Sequence, residues 1–182
     1  MKKIQSLFKR DYTGNRQVIN EVVESSEWVI NGEGKPTVKF DGTPCMVIGL
    51  KIYRRFDAKN GRTIPEGDIP CQEPDKITGH WPHWVECNRD NPADKYFFEA
   101  FDQITASKEI YTVELCGPKI NGNKEGLTKH GFLPHGLPIL GVPRTYEGLK
   151  LFLKDYHHEG IVWHHPDGRM VKIKRKDFGL KW

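Results

Sequence analysis

Two short runs near the C-terminus, Gly160–His164 and Met170–Lys174, read as strands and are joined across Pro166-Asp167-Gly168. Asp-Gly between two such runs is a strong hairpin signal, because the turn needs residues that tolerate positive φ. An antiparallel pair is therefore expected there. Upstream, Val38–Leu50 reads as two strands broken at Gly42-Thr43-Pro44, Lys51–Phe56 continues as strand, and Tyr111–Cys116 forms another, stopped by Gly117-Pro118. Helices fall between them. Asp90-Asn91-Pro92 opens one that runs through Ala106, with Tyr96, Phe97, Ala100, Phe101 and Ile104 at helical spacing. Thr145 can cap a second, running to about Tyr156, with Tyr146, Leu149, Phe152, Leu153 and Tyr156 on one face. Asp57–Trp84, rich in Gly, Pro and charge, reads as a long loop, and residues 119–143 as irregular. Strands dominate and helices are inserted. The expected class is α+β with antiparallel sheets flanked by helices, not a doubly wound fold.

A chain of 182 residues fits one domain, 1–182, with enough material for a proper core. No apolar run approaches the ~18 residues of a membrane span, and the basic start Lys2-Lys3 is not followed by the apolar stretch of a signal peptide. The expected setting is intracellular, reducing and cytoplasmic. Cys45, Cys71, Cys87 and Cys116 are scattered without C-x-x-C, as free thiols would be. The net charge of +4 is compatible with a polyanionic partner and says little more.

Four segments carry residues suited to phosphate chemistry. In Lys39-Phe40-Asp41-Gly42-Thr43 a lysine lies inside an apolar strand. Such a lysine is costly unless paired or at work, and burial among cations makes its amine a nucleophile. Gly42 lets the backbone turn closely beside a ligand. The plain alternative is a surface lysine before an ordinary Asp-Gly turn. Glu114 lies on the opposite strand face from Val113 and Leu115, either as a solvated carboxylate or reaching a ribose hydroxyl or metal-bound water. Glu159 sits at the start of a strand, where Mg²⁺ could be held through waters. Lys172 and Lys174 share one strand face with Ile173 turned inward. Two adjacent ammoniums repel unless an anion such as phosphate sits between them; the alternative is a basic solvent face. An attacking amine, a metal ligand and cations for triphosphate oxygens are together what covalent nucleotidyl transfer from ATP demands.

At these residues the chain resembles the covalent nucleotidyltransferase superfamily of ATP-dependent ligases and capping enzymes. Lys39-Phe40-Asp41-Gly42 looks like its first motif, Glu159-Gly160-Ile161-Val162 its fourth and Lys172-Ile173-Lys174 its fifth. The closer similarity is to the 5′–3′ RNA ligase family typified by the animal RNA ligase 1. It rests on Lys119-Ile120-Asn121-Gly122-Asn123, Glu159–His164 and Gly179-Leu180-Lys181-Trp182, and covers most of the chain from about residue 36. The resemblance implies a single adenylation (nucleotidyltransferase) domain, ATP-grasp-like, with no OB domain, since only eight residues follow Lys174. It implies that Lys39 forms a lysyl-adenylate and that AMP passes to an RNA 5′-phosphate, to be displaced by a 3′-hydroxyl. Thr37, Val38, Asp41 and Gly42 would line the ATP or AMP site. Arg55 would hold AMP or the acceptor phosphate, Glu114 the ribose or metal, Glu159 the metal, and Lys172 and Lys174 the α-phosphate. The cofactors implied are ATP and Mg²⁺ or Mn²⁺; the partner is RNA with 5′-phosphate and 3′-hydroxyl ends, with no membrane or obligate protein partner. Thr37 stands where many ligases carry a glutamate that reads adenine.

Same-superfamily transfer to a DNA nick, an RNA cap or a protein is the alternative reading, as is a module that binds ATP or RNA ends without chemistry. His80, Trp81 and Trp84 are candidates for stacking and phosphate contact, and Arg175 and Lys176 for further phosphate contact. A loop packed down by its two tryptophans is the alternative for the first group, and a solvated basic face for the second. Cys71, His80, His83 and Cys87 also invite a zinc reading, although their C-x8-H-x2-H-x3-C spacing matches no common finger.

Overall fold

The structure is a computed structural model and describes residues 2–76, 78–105 and 109–182. It is a small mixed α/β protein built mainly on antiparallel sheets, and its contacts cluster into two compact units. One comprises Ile4–Phe40 and His135–Trp182; the other comprises Asp41–Pro134 with the first residues of the chain. The bond between Phe40 and Asp41 carries the chain from one to the other.

The first unit holds a four-stranded sheet made of β1 (Gln5–Ser6), β4 (Lys35–Lys39), β11 (Gly160–His164) and β12 (Met170–Lys174), in the order β1-β12-β11-β4. The hairpin appears with the bounds expected of it. Gly168, at φ +90, supplies the left-handed turn residue, and β11 and β12 pair antiparallel. β11 also pairs antiparallel with β4, whereas β1 joins β12 in parallel, the one departure from antiparallel pairing in this sheet. A two-stranded ribbon, β2 (Phe8–Arg10) with β3 (Val18–Val22), and a short helix α1 (Glu27–Ile30) complete the N-terminal part. Thr145 caps α3 (Tyr146–Lys154), its hydroxyl accepting the Gly148 N–H at 3.3 Å. Leu149 and Leu153 on that helix are fully buried and pack with Ile161, Trp163, Val171, Ile173, Phe8 and Trp28. Val38, Ile161 and Ile173, one residue from each neighbouring strand, are all buried.

The second unit holds a six-stranded antiparallel sheet, β10-β9-β5-β6-β8-β7, of β5 (Thr43–Ile48), β6 (Lys51–Asp57), β7 (Ile69–Pro70), β8 (Pro82–Glu86), β9 (Ile110–Cys116) and β10 (Gly131–Pro134). The two strands expected over 38–50 thus pair in different sheets. The expected loop over 57–84 contains β7 and the start of β8. Pro82 is tolerated because it opens its strand, and β8 pairs with β6 through residues 82–86. A 3₁₀ turn at Pro92–Asp94 precedes α2 (Lys95–Phe101), which is shorter than the expected helix; Ala106 lies outside the described residues. Phe97 and Ala100 of α2 pack on Cys45, Val47, Ile52, Val113 and Leu115 of the sheet. Among the described residues no helix is long and apolar enough to cross a membrane.

Candidate active site

Register in the four-stranded sheet decides where the lysines go. Gly160 lies opposite both Lys39 and Lys174, and Val162 lies opposite both Thr37 and Lys172. Residues directly opposed across strands, and those two apart along a strand, share a sheet face. Thr37, Lys39, Lys172 and Lys174 therefore share one face, with Val38, Ile161 and Ile173 on the core face. Gly160 has no side chain to fill the gap between Lys39 and Lys174. A Cβ there would meet Ile173 O at 2.1 Å and Lys174 Cα at 2.8 Å, so β11 and β12 close on each other only with glycine at this position.

Glu159, one residue before β11, reaches into that gap and is buried. Its Oε2 contacts Lys39 Nζ and its Oε1 lies 3.4 Å from Lys174 Nζ. One carboxylate thus bridges two ammoniums whose side chains are about four-fifths buried (21% and 15% exposed). Lys172 is desolvated: burial, and then the like charges of Lys174 and Lys39, push its ammonium down to about 8. Lys174 is also lowered, chiefly by burial, with Glu159 opposing the shift. The end of β12 is fixed from below by Asp177. This 1%-exposed carboxylate accepts the Lys174 backbone N–H at 2.9 Å and an Arg10 N–H at 2.5 Å. Thr37 does not face a ligand with its hydroxyl, which donates to Val162 O at 2.9 Å. Val38 is buried and donates its N–H to Leu137 O at 2.8 Å.

Asp41, Gly42, Arg55 and Glu114 belong to the second unit. Arg55 and Glu114 lie on the same face of the six-stranded sheet, opposite the face that carries Cys45, Arg54 and Val113. Glu114 is buried, which replaces the solvated carboxylate of the plain reading; its Oε1 accepts the Gly42 N–H at 3.2 Å. Burial lowers the Arg55 guanidinium, with Cys71, Asp57 and Glu114 opposing. The Asp41–Gly42 turn is clasped on several sides. Asp41 N–H donates to Glu125 Oε1 at 2.9 Å, while the Asn121 amide donates to Asp41 Oδ1 at 3.0 Å and Gly42 O at 2.8 Å. A Cβ on Gly42 would sit 2.2 Å from Leu115 O, so the close approach this glycine permits is to the backbone of β9.

Asn121, Glu125 and Asp177 were not singled out individually in the sequence. Asn121 and Asn123 adopt positive φ (45° and 53°), which asparagine tolerates better than most residues. The Asn-Gly-Asn run was a signal for such a loop, but not for what its side chains hold.

The expected RNA contacts separate. Trp84 is 3% exposed and packs with Met46 and Tyr53, with Arg55 5.7 Å over its ring, so it offers no open face for a base. His80 engages the Asp57 carboxylate, and buried His83 engages Asp68. Trp81 donates its indole N–H to Gln72 O at 3.0 Å and meets His83 edge-on. These contacts are those of the packed-down loop. Arg175 donates to Tyr156 O and Lys181 O and lies over Trp182, tying down the C-terminal segment, while Lys176 is exposed. The zinc reading finds no geometry. Cys71 and Cys87 are free thiols, Cys87 pushed up to about 12 by burial, and no group of three or more His, Cys, Asp or Glu among the described residues is arranged for a metal.

That donor set bears on Mg²⁺ as well. Glu114 and Glu159 belong to separate units, and both oxygens of Glu159 already face lysine amines. Such residues suit a cation brought mainly by phosphates and steadied by one carboxylate, as Mg²⁺ commonly is, rather than an all-protein cage.

At the level of class, this is a mixed α/β protein whose four-stranded sheet displays a lysine–carboxylate–lysine bridge beside a third, desolvated lysine, Lys172. Residues 102–182 match the family model described as RNA ligase 1. RNA ligase 1 of Mus musculus is 37% identical over a match covering 66% of this chain and 50% of the relative, and that of Rattus norvegicus 38% identical with the same coverage. RNA ligase 1 of Danio rerio is 37% identical across 39% of this chain and 25% of its own length. In sequence the chain is thus similar to RNA ligase 1 proteins over part of their length. The chain spans about half the length of the rodent relatives.

Proposed function

We propose that this chain is the adenylating part of an ATP-dependent RNA ligase and carries a nucleotidyltransferase fold. The observation that carries the reading is the Glu159 carboxylate bridging the Lys39 and Lys174 amines on a face that also bears Lys172. A lysine that only binds needs no such setting. A lysine that attacks phosphorus must give up its proton, and Glu159 is the acceptor in contact with it. Lys39 Nζ attacks the α-phosphorus of ATP, forming a P–N bond and releasing pyrophosphate. Lys172 and Lys174 hold the non-bridging oxygens on which charge builds. An RNA 5′-phosphate oxygen then takes the AMP and frees the lysine; a 3′-hydroxyl attacks the 5′-phosphorus, closes the phosphodiester and expels AMP. Mg²⁺ or Mn²⁺, when bound, supplies charge neutralisation of the triphosphate. Arg55 and Glu114 keep the roles the resemblance implies, Arg55 at AMP or the acceptor phosphate and Glu114 at the ribose or metal.

The test compares acceptors. Given ATP and Mg²⁺, a 5′-phosphorylated RNA oligonucleotide is circularised or joined, and its DNA counterpart is joined at least ten-fold more slowly. Faster joining of nicked DNA, or nucleotide transfer to protein with none to RNA, would contradict the RNA reading.

A further inference from the structure

We propose that His130 is a positioning residue for the Asp41–Gly42 turn that follows Lys39, and that it acts in its neutral tautomer with the proton on Nδ1. The functional half of this inference rests on the ligase reading above; the structural half does not.

His130, one residue before β10, is 8% exposed. Its Nε2 lies 3.2 Å from the Lys119 backbone N, and its Nδ1 lies 2.7 Å from Glu99 Oε2. A backbone N–H can only donate, so Nε2 must carry a lone pair; Nδ1 then carries the proton and donates to Glu99. The ring is held flat against Tyr96 (centroids 4.3 Å apart, planes at 27°), and Gln103 Nε2 binds His130 O at 2.8 Å. Gly117 completes the seat, since a Cβ there would sit 2.6 Å from the ring Cδ2.

The contact with Lys119 leads toward the turn. Lys119 opens the 119–123 loop, which closes on itself through Ile120 N–H to Gly117 O and Asn123 N–H to Ile120 O. Two residues after Lys119, the Asn121 amide grips Asp41 and Gly42 together. The imidazole therefore sets the start of the loop whose asparagine holds the turn, and Lys39 is two residues before that turn. A protonated ring would point a second N–H at the Lys119 N–H, removing the acceptor and opposing two donors. The sequence showed no reason to separate His130 from its neighbours, because its partner Glu99 lies 31 residues away.

The test uses the full chain with three readouts. In the wild type at neutral pH, nitrogen NMR shows the Nδ1–H tautomer at His130. Amide exchange at Lys119, Asp41 and Gly42 is slow in the wild type, at least ten-fold faster in His130→Asn, and restored in His130→Gln. Glutamine places an acceptor oxygen where Nε2 was; asparagine is too short to do so. The rate of AMP–lysine formation at saturating ATP falls at least ten-fold in His130→Asn with half-saturation by ATP unchanged, and recovers in His130→Gln. An Nε2–H tautomer or an imidazolium in the folded wild type overturns the proposal even where the asparagine variant does not fold. Equal exchange in all three proteins overturns it too. A wild type that forms no adduct but shows the tautomer and the exchange pattern instead refutes the ligase reading and leaves the turn-holding role standing.

Discussion

Glu159→Ala is expected to destabilise the protein by about 2–3 kcal/mol at pH 7, and to slow AMP–lysine formation by more than ten-fold, about 1.4 kcal/mol of barrier. Removing one member of a buried ion pair leaves its partner charged and uncompensated. Here the carboxylate faces Lys39 and Lys174, with Lys172 among the same charges, so three ammoniums are left to repel one another. The side chains retain some solvent access, which keeps the expectation at the low end for a buried pair. The loss has a direction in pH. Depressed lysines release protons in the folded state before the unfolded chain does, so stability rises with pH between the folded and unfolded values. Without Glu159, Lys172 and Lys174 are depressed further. The gap between variant and wild type therefore narrows from pH 7 to 10, and thermal midpoints across that range measure it. A constant gap would show that Glu159 acts by packing and not by charge. Lys174→Met in the same chain should return part of the lost stability.

Lys172→Met works in the opposite sense. Its ammonium falls from 10.5 to about 8 mainly through burial, so the folded protein holds an unfavourable charge below pH 8. At 1.36 kcal/mol per unit this is worth up to about 3 kcal/mol. Methionine keeps the length without the charge, and should raise stability by about 1–3 kcal/mol at pH 7. The sign is that of a lowered lysine: the penalty is complete below about 8 and is relieved between there and 10.5, where the advantage of methionine fades. The same variant should bind ATP at least ten-fold more weakly, because the cation that costs stability is the one offered to phosphate. Denaturant midpoints and ATP titration on one preparation separate the two effects. A variant that loses stability, or that gains it while keeping ATP affinity, would remove Lys172 from phosphate binding.

The parts legible in the sequence were those fixed by local chemistry. The Asp-Gly hairpin, the Thr145 cap and the alternation of Lys172, Ile173 and Lys174 all stand in the structure, because turn, cap and strand period are written within a few residues. The parts that were not legible depend on distant partners. β1 is two residues long and exists by pairing in parallel with β12, more than 160 residues on. β8 opens on a proline inside a stretch whose composition reads as loop, and is held as a strand by β6. The site followed the same division. The chemistry of Lys39, Glu159, Lys172 and Lys174 is visible in the sequence, but the pairing of Gly160 with both Lys39 and Lys174 is a fact of register. That register brings Glu159 between two amines. Trp84 misled because a tryptophan that stacks on a base and one that fills a core look alike in sequence.

The amine of Lys39 is the group on which the proposed chemistry depends most directly. The chain is incubated with ATP and Mg²⁺, or Mn²⁺, and its intact mass and proteolytic peptides are read. The expected result is the addition of one AMP, mapped to Lys39 and absent from Lys39→Ala. Folded wild-type protein that stays unmodified with either metal, or that carries its AMP on another residue, contradicts the account.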